Sequence, residues 1–405
     1  MDDYILIRYG ELSLKKSNRN QFTQKINASI KRALKEFKEL TYEPRGMRFY
    51  INLNNTDSSQ IIPILEKIPG IHSFSIVSRT TTNIDDICEL AYNLMKDELE
   101  NKDITFKVET NRSDKSYPLT SIQISQEISR YLFKHIKGLH ADVHNPGITL
   151  NVDLRNEGTF LFTKEIKGIG GMPNGSIGKV MLMVSGGIDS VVAGYLSLKK
   201  GMTIEAIHFA SPPYTSDQAV QKVIDLLEVL TPFSEFQNIN LHIVPFTNIQ
   251  KAIYDNCRED YGITIMRRMM YRITERLANK LDCLAIVNGE NIGQVASQTL
   301  ESIRTIESVT SYPVIRPLAT MDKSEIIEIS EKIGTYKISI RPYEDCCTIF
   351  VPKHPQIKPL LHHAEQEESK FDFEPLIEEA VNNTKRINLK TNVHKDLFES
   401  NDDIF

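Results

Sequence analysis

The sequence predicts an α/β protein whose C-terminal part is a doubly wound parallel sheet, preceded by two small α+β domains. Three observations carry this. From Val180 onward, short apolar strands alternate with helical stretches: VMLMV, IEAIHF, LHIVPF, LAIVN and PVIRPL. Strands apolar on both faces and separated by helices belong to a sheet covered on both sides, which is the parallel, doubly wound kind. Before residue 167, strands and helices instead follow one another in two shorter cycles. Between the two regimes lies KGIGGMPNGSIGK, residues 167–179, whose glycines and proline read as a flexible linker.

At 405 residues the chain exceeds one average domain. In the first cycle YILIRY alternates as a strand, and the following helix puts Phe22, Ile26, Ile30, Ala33, Leu34 and Phe37 on one face. RFYINLN at 48–54 is a further strand, and IIPILEKI is a short amphipathic helix ended by Pro69 and Gly70. The second cycle runs helix (84–99), strand DITFKVETN, helix SIQISQEISRYLFKHI, then a strand pair within ITLNVDLRNEGTFLFTKEI. The expected boundaries are 1–60, 61–166, a linker at 167–178, and 179–396. The tail after about residue 355 reads as acidic and helical.

Composition narrows the function classes. Hydrophobic residues at 40% and charged residues at 25% suit a soluble globular chain. No stretch approaches the roughly 18 unbroken apolar residues of a membrane span. MDDYILIRYGELSLKK lacks the layout of a signal peptide, so no membrane partner and a cytoplasmic location are expected. Cys88, Cys257, Cys283, Cys346 and Cys347 are too few and too scattered for a disulfide framework. The formal charge of −5 excludes a protein that is basic throughout. Residues 1–178 nevertheless carry 24 Lys and Arg against 22 Asp and Glu, while the remainder carries 24 against 31. Polyanion binding is thereby directed to the N-terminal half.

The strongest local signal is VMLMV-SGGIDS-VVAGYLSL. A buried strand ends at Val184, Ser185-Gly186-Gly187 form a tight loop, and a helix starts near Ile188. Two glycines let the backbone curl and aim several N–H groups at one point. Those donors, the positive end of the helix, and the Ser185 and Ser190 hydroxyls suit a pyrophosphate. An ordinary strand-to-helix turn with serine as N-cap is the competing interpretation. GxxxxGK[ST] is absent, since Pro173 stands five before Gly178 and Val180 follows Lys179. The glycines of 168–175 do not follow a strand in the GxGxxG arrangement.

Ligands of doubly wound sheets sit beyond the carboxyl ends of the strands. His208 and Phe209 end the second strand there, either to hold an adenine or as core. Arg267, on a methionine-rich helix, either neutralises phosphate or is an ordinary surface arginine. Asn288, Gly289, Glu290, Asn291 and Gln298 form a polar cluster after a strand. Asp189 is either a helix N-terminal carboxylate or a ligand to Mg²⁺ at the phosphates. For the polyanion, Lys15, Lys16 and Arg19, then Lys31, Arg32 and Lys35, then Lys107, Arg112 and Lys115 are candidate footholds, each equally a solvated charge. Tyr117 among them is a candidate to stack on an unpaired base.

SGGIDS resembles the pyrophosphate loop (PP-loop) of ATP pyrophosphatases. RYGELSLK…NR at 8–19, RSDKSYP at 112–118, HFASPP at 208–213, RRMM at 267–270, IVNGENIGQVASQTL at 286–300, RPL at 316–318 and EDCCTIF at 344–350 narrow the resemblance to the bacterial tRNA 4-thiouridine synthetases. Lys16, Val191 and Ala210 depart from residues common there. The resemblance implies a ferredoxin-like domain, an RNA-binding THUMP domain and a PP-loop domain. It implies ATP with Mg²⁺, tRNA as partner, and a cysteine desulfurase as persulfide donor; a homodimer stays open. It implies that Met183, Val184, Ser185, Gly186, Gly187, Asp189, Ser190, His208, Phe209, Arg267, Gly289 and Gln298 contact ATP. Alignment within EDCCTIF picks Cys347, with Asp189, as catalytic, Cys347 carrying the persulfide. The expected reaction adenylates O4 of uridine (position 8) and inserts sulfur, with a link to thiamine biosynthesis in some members. Many members carry a further C-terminal rhodanese domain that is not found here. An amidating ATP pyrophosphatase and a non-catalytic tRNA-binding protein are the alternatives. No metal site is expected on the protein itself, because Cys346, Cys347, His354, His362 and His363 match no zinc spacing. A 346–347 disulfide would be strained, since neighbouring Cα atoms lie about 3.8 Å apart, so another thiol is expected to resolve Cys347.

Overall fold

The computed structural model describes residues 3–10, 19–46, 48–99, 103–343 and 354–398, in two compact units, Met1–Gly171 and Met172–Phe405.

The first unit runs β1 (Asp3–Tyr9), α1 (Arg19–Ala33), β2 (Thr41–Arg45), β3 (Arg48–Asn52), α2 (Ser58–Leu65), β4 (Ile71–Thr80), α3 (Ile84–Leu99), β5 (Ile104–Arg112), α4 (Ser121–His135), β6 (Leu139–Ala141), β7 (Ile148–Arg155), β8 (Gly158–Phe162) and β9 (Ile166–Lys167). The expected α1 stripe is real, with Ile26, Ile30 and Leu34 fully buried. Helices α3 and α4 cover a second core in which Ile87, Ala91 and Met95 meet Ile124, Ile128 and Leu132 at helical spacing.

All its strands join one nine-stranded sheet in the order β2-β3-β1-β4-β8-β7-β5-β6, with β9 beside β4. Residue 60 falls inside α2, and β4 beyond it closes the first fold by pairing antiparallel with β1. The same strand pairs with β8 of the second fold through Ser78–Thr80, so the two small domains share an edge-to-edge seam. Periodicity identifies a strand but not its distant partner.

The second unit runs β10 (Gly178–Met183), α5 (Ile188–Lys199), β11 (Met202–Ala210), α6 (Asp217–Leu230), β12 (Asn238–Pro245), α7 (Thr247–Asn256), α8 (Gly262–Lys280), β13 (Ala285–Val287), α9 (Leu300–Glu307), β14 (Val314–Ile315), α10 (Lys323–Ile333), α11 (Tyr336–Ser339), α12 (Leu361–Glu368), α13 (Glu374–Asn382) and β15 (Lys385–Lys390). The sheet order is β14-β13-β10-β11-β12-β15, and the first five strands are parallel as expected. β15 was not expected. It runs antiparallel along β12 and covers that edge, so the tail is two helices and a strand. The chain winds outward from β10 through β12, then crosses back to β13. The switch point therefore lies between β10 and β13, where doubly wound sheets open their crevice.

The glycine-rich stretch at 167–178 is not a free linker. Gly168 and Gly170 donate to the carbonyls of His72 and Ile71 at 2.8 and 2.9 Å. A Cβ on Gly168 would stand 2.3 Å from the Ile71 oxygen, so the glycine answers a close backbone approach. Within the second unit, Met172 and Ser176 donate to Lys199 and Gly201.

Candidate active site

Val184 continues β10 by one hydrogen bond to the Ile207 carbonyl, and the chain turns through Ser185-Gly186-Gly187 into α5. Ser190 closes this turn. Its hydroxyl accepts from the Ser185 N–H at 3.0 Å and donates to the Ser185 carbonyl at 3.1 Å. Gly187 is the N-cap of α5 and brings no side chain, so the first-turn N–H groups are open to an anion. Asp189 supplies the one acidic group of that turn.

The wall opposite comes from the loop after β13. A Cβ on Gly289 would lie 2.5 Å from the Ser190 nitrogen and 2.6 Å from the Asp189 carbonyl carbon. Two backbones touch there, and only glycine allows it. Buried Asn288 and Glu290 flank it. The Asn288 amide donates to the Tyr271 hydroxyl at 2.7 Å and to Glu290 at 2.8 Å. Glu290 is also held by Arg267 and, at 2.7 Å, by Arg316. Burial alone pushes the Glu290 carboxyl up, but the two guanidinium groups outweigh it and hold it below the usual carboxylate range.

Between these walls lies a cavity of about 260 Å³. It gathers Met183, Val184, Ser185, Asp189, Ser190, His208, Phe209, Arg267, Gly289 and Gln298, and adds Met270, Asn288 and Glu290. Of the twelve positions tied to ATP by resemblance, only Gly186 and Gly187 are outside its lining, and both lie in the adjoining turn. Phe209 is core as well as wall, edge-on to Phe246. The buried His208 ring meets the Val184 carbonyl at 3.1 Å through Nδ1. The Gln298 amide oxygen is buried with no hydrogen-bond partner among the described residues, an unanswered acceptor in the pocket wall.

Sequence reading missed three contributors. The pairing of Glu290 with Arg316 becomes visible only when β13 and β14 lie side by side. Lys323, the first residue of α10, reaches Asp189 at 2.5 Å, and Gln294 donates to the same carboxylate at 3.0 Å. No local signal links Lys323 to a position 134 residues earlier.

The thiol candidates Cys346 and Cys347 lie outside the described residues, as do Lys15 and Lys16; Arg19 opens α1 and its side chain is likewise outside them. The other RNA footholds have local partners of their own. Lys31 sits 5.4 Å from the Tyr42 ring centroid, while Lys35 pairs with Glu36 and Lys107 with Glu109. Arg112 donates to the Tyr117 and Leu119 carbonyls at 2.7 Å each, which commits its guanidinium to its own loop. Lys115 is exposed. Tyr117 corrects the stacking expectation: its hydroxyl donates to the Thr82 carbonyl at 2.8 Å and its ring packs on the core under α3 and α4. The His362 and His363 rings lie against each other at a tilt of 56°, and His363 meets the Tyr261 hydroxyl at 3.4 Å.

A parallel doubly wound sheet with a PP-loop at its switch point, joined to a ferredoxin-like and a THUMP fold, defines a PP-loop nucleotide enzyme built with an RNA-binding half. The family descriptions agree: thiamine biosynthesis protein (ThiI) over residues 175–373, ThiI ferredoxin-like domain over 4–75, and THUMP domain over 81–164. A crystal structure of a 4-thiouridine synthetase in complex with RNA and with bound ATP matches at TM-score 0.89 and 38% identity, over 96% of this chain and 100% of that one. PH1313 from Pyrococcus horikoshii Ot3 shares the fold at TM-score 0.64 and 20% identity, over 82% and 100% of the two chains. The chain belongs to the ThiI family.

Proposed function

We propose that this chain is an ATP-dependent tRNA sulfurtransferase that makes 4-thiouridine, most simply at position 8. The observation that carries the reading is the crevice of about 260 Å³ lined together by the Ser185–Ser190 turn and by the loop of Gly289 packed against it. Backbone N–H groups at the start of α5 would bind the ATP phosphates. Met183, Val184, His208, Phe209 and Gln298 would enclose the base, and Arg267, turned by Glu290, would face the phosphate charge. Lys323 lies beside Asp189 and adds a cation at the same mouth. Mg²⁺ keeps most of its water and takes one or two carboxylates beside phosphates. Asp189 fits that role by sharing its carboxylate with Lys323.

The uridine O4 attacks the α-phosphorus, pyrophosphate leaves, and C4 acquires AMP as leaving group. The terminal sulfur of a Cys347 persulfide then bonds to C4 while the C4–O bond breaks and AMP departs. A second thiol attacks the Cys347 sulfur, so that the outer sulfur stays on the base and the two thiols become a disulfide. External reductant resets that disulfide with two electrons. A cysteine desulfurase loads the persulfide, and the basic N-terminal half, with Lys107 and Lys115, supports tRNA docking. Among the described residues no helix is long and apolar enough to cross a membrane, in keeping with work on cytoplasmic tRNA. The family description supports a secondary sulfur-transfer role in thiamine synthesis more weakly.

The test is a reaction with tRNA, ATP, cysteine and a desulfurase, followed by thionucleoside analysis. Wild type yields AMP, pyrophosphate and 4-thiouridine; Cys347→Ser keeps pyrophosphate release and makes no 4-thiouridine. Undiminished product from Cys347→Ser would refute persulfide transfer, and ammonia incorporation in its place would favour an amidating enzyme. Binding without AMP formation would favour a non-catalytic protein.

A further inference from the structure

We propose that Arg48 is a positioning residue for tRNA: clamped to Asp153, it sets the angle between the ferredoxin-like and THUMP folds across which one RNA lies. The inference rests on tRNA as the partner in the function proposed above. Arg48 and Tyr50 share one face of β3, and Asp153 and Arg155 share one face of β7. In the sheet order β3 stands three steps from β8 and four from β7, roughly 14 Å and 19 Å in a flat sheet. Yet the Tyr50 ring centroid lies 4.7 Å from that of Phe160 on β8, and Arg48 pairs with Asp153. The sheet therefore curls until this face closes on itself, burying Tyr4, Leu6, Tyr50, Val77, Phe160 and Phe162 together.

The ladder between β4 and β8 keeps the two folds edge to edge, but each strand-to-strand step accepts a twist of roughly 10° to 35°. Over four steps the angle of β3 to β7 is therefore left to side chains. The apolar cluster contributes adhesion without direction. Direction comes from Asp153, which is 3% exposed and takes Arg48 from the ferredoxin-like side and Arg155, at 2.8 Å, from its own strand. Both bonds fall on Oδ2, while Oδ1 is buried without a partner among the described residues. A carboxylate buried with one oxygen unanswered adds little stability; what it fixes here is geometry. Arg45 reaches Glu157 at 3.6 Å, a more exposed tie between the same two folds and a weaker one. An RNA spanning both folds fits one angle, so its apparent affinity scales with the fraction of molecules that hold that angle.

The experiment measures tRNA affinity by filter binding, and KM and kcat for 4-thiouridine formation, all with the full chain. Arg48→Met leaves the Asp153–Arg155 bond and cuts the tie across. It should weaken tRNA binding and raise the tRNA KM about fivefold, with kcat and the KM for ATP within about twofold of wild type. The salt dependence of binding should keep its wild-type slope, whereas removing a phosphate contact would lower that slope by about one. Arg48→Asp combined with Asp153→Arg, which reverses the pair, should recover most of the affinity. If Arg48→Met does not fold, Arg48→Lys, shorter and without the planar fork, should raise the tRNA KM about twofold with the slope again unchanged. An unchanged KM, a fall in kcat, a lowered salt slope, or no recovery by the reversed pair overturns the inference. Wild-type protein that binds tRNA but forms no 4-thiouridine sinks the parent reading alone, since the affinity measurements still judge the clamp.

Discussion

Gly289 marks the tightest point of the site. Alanine there would drive a Cβ to 2.5 Å from a backbone nitrogen of the first turn of α5, which has no side chain to move aside. Gly289→Ala should weaken ATP binding at least about tenfold through the displaced turn, measured by calorimetric titration. Glu290 is a different kind of residue, holding Arg267 and Arg316 at once. Its carboxyl is depressed in the folded state, so its stabilisation is complete above the unfolded value of about 4.3 and is lost as pH falls through the lower folded value. Glu290→Gln should cost about 3 kcal/mol at neutral pH, by leaving two guanidinium groups without their buried countercharge. Urea unfolding across pH should show the gap from wild type closing as acid neutralises the native carboxylate; a gap that widens toward acid would contradict the assignment. The pairing was invisible in sequence because Arg267, Glu290 and Arg316 lie on three separate elements.

At the scale of elements, legibility followed locality. Helices α1, α3 and α4 and the parallel strands were readable because their periods are local: Ile124, Ile128 and Leu132 recur every fourth residue, and β11 is buried on both faces. The PP-loop was readable for the same reason, since six consecutive residues hold its chemistry. β15 was missed because KRINLK carries only one fully buried side chain, Leu389, and looks like any polar tail until β12 lies beside it. The glycines at 168–171 read as flexibility, yet Gly168 is there for proximity to Ile71. Caps are local and testable. Thr120 accepts from the Gln123 N–H at 3.3 Å, and Gln123 accepts from the Thr120 N–H at 2.8 Å, a reciprocal pair at the start of α4. Thr120→Ala should lower stability by about 1 kcal/mol in urea unfolding, and any effect on ATP binding would contradict a purely local role.

The whole molecule divides its charge, near neutral in the first 178 residues and acidic after them. Binding of tRNA should therefore be a modest electrostatic event. Between 50 and 200 mM salt the affinity should fall about tenfold to a hundredfold, less than a fully basic binder would lose, and filter-binding titrations would show it. A salt-independent affinity would mean that docking is not through phosphates. The first unit also has a mechanical consequence. Because β4 is bonded to β1 on one side and to β8 on the other, the ferredoxin-like and THUMP folds are halves of one continuous hydrogen-bonded surface. Severing the chain near residue 80 would bare two raw strand margins that invite aggregation. Swinging one against the other would require tearing the seam, so an RNA lying across both meets a surface of fixed span.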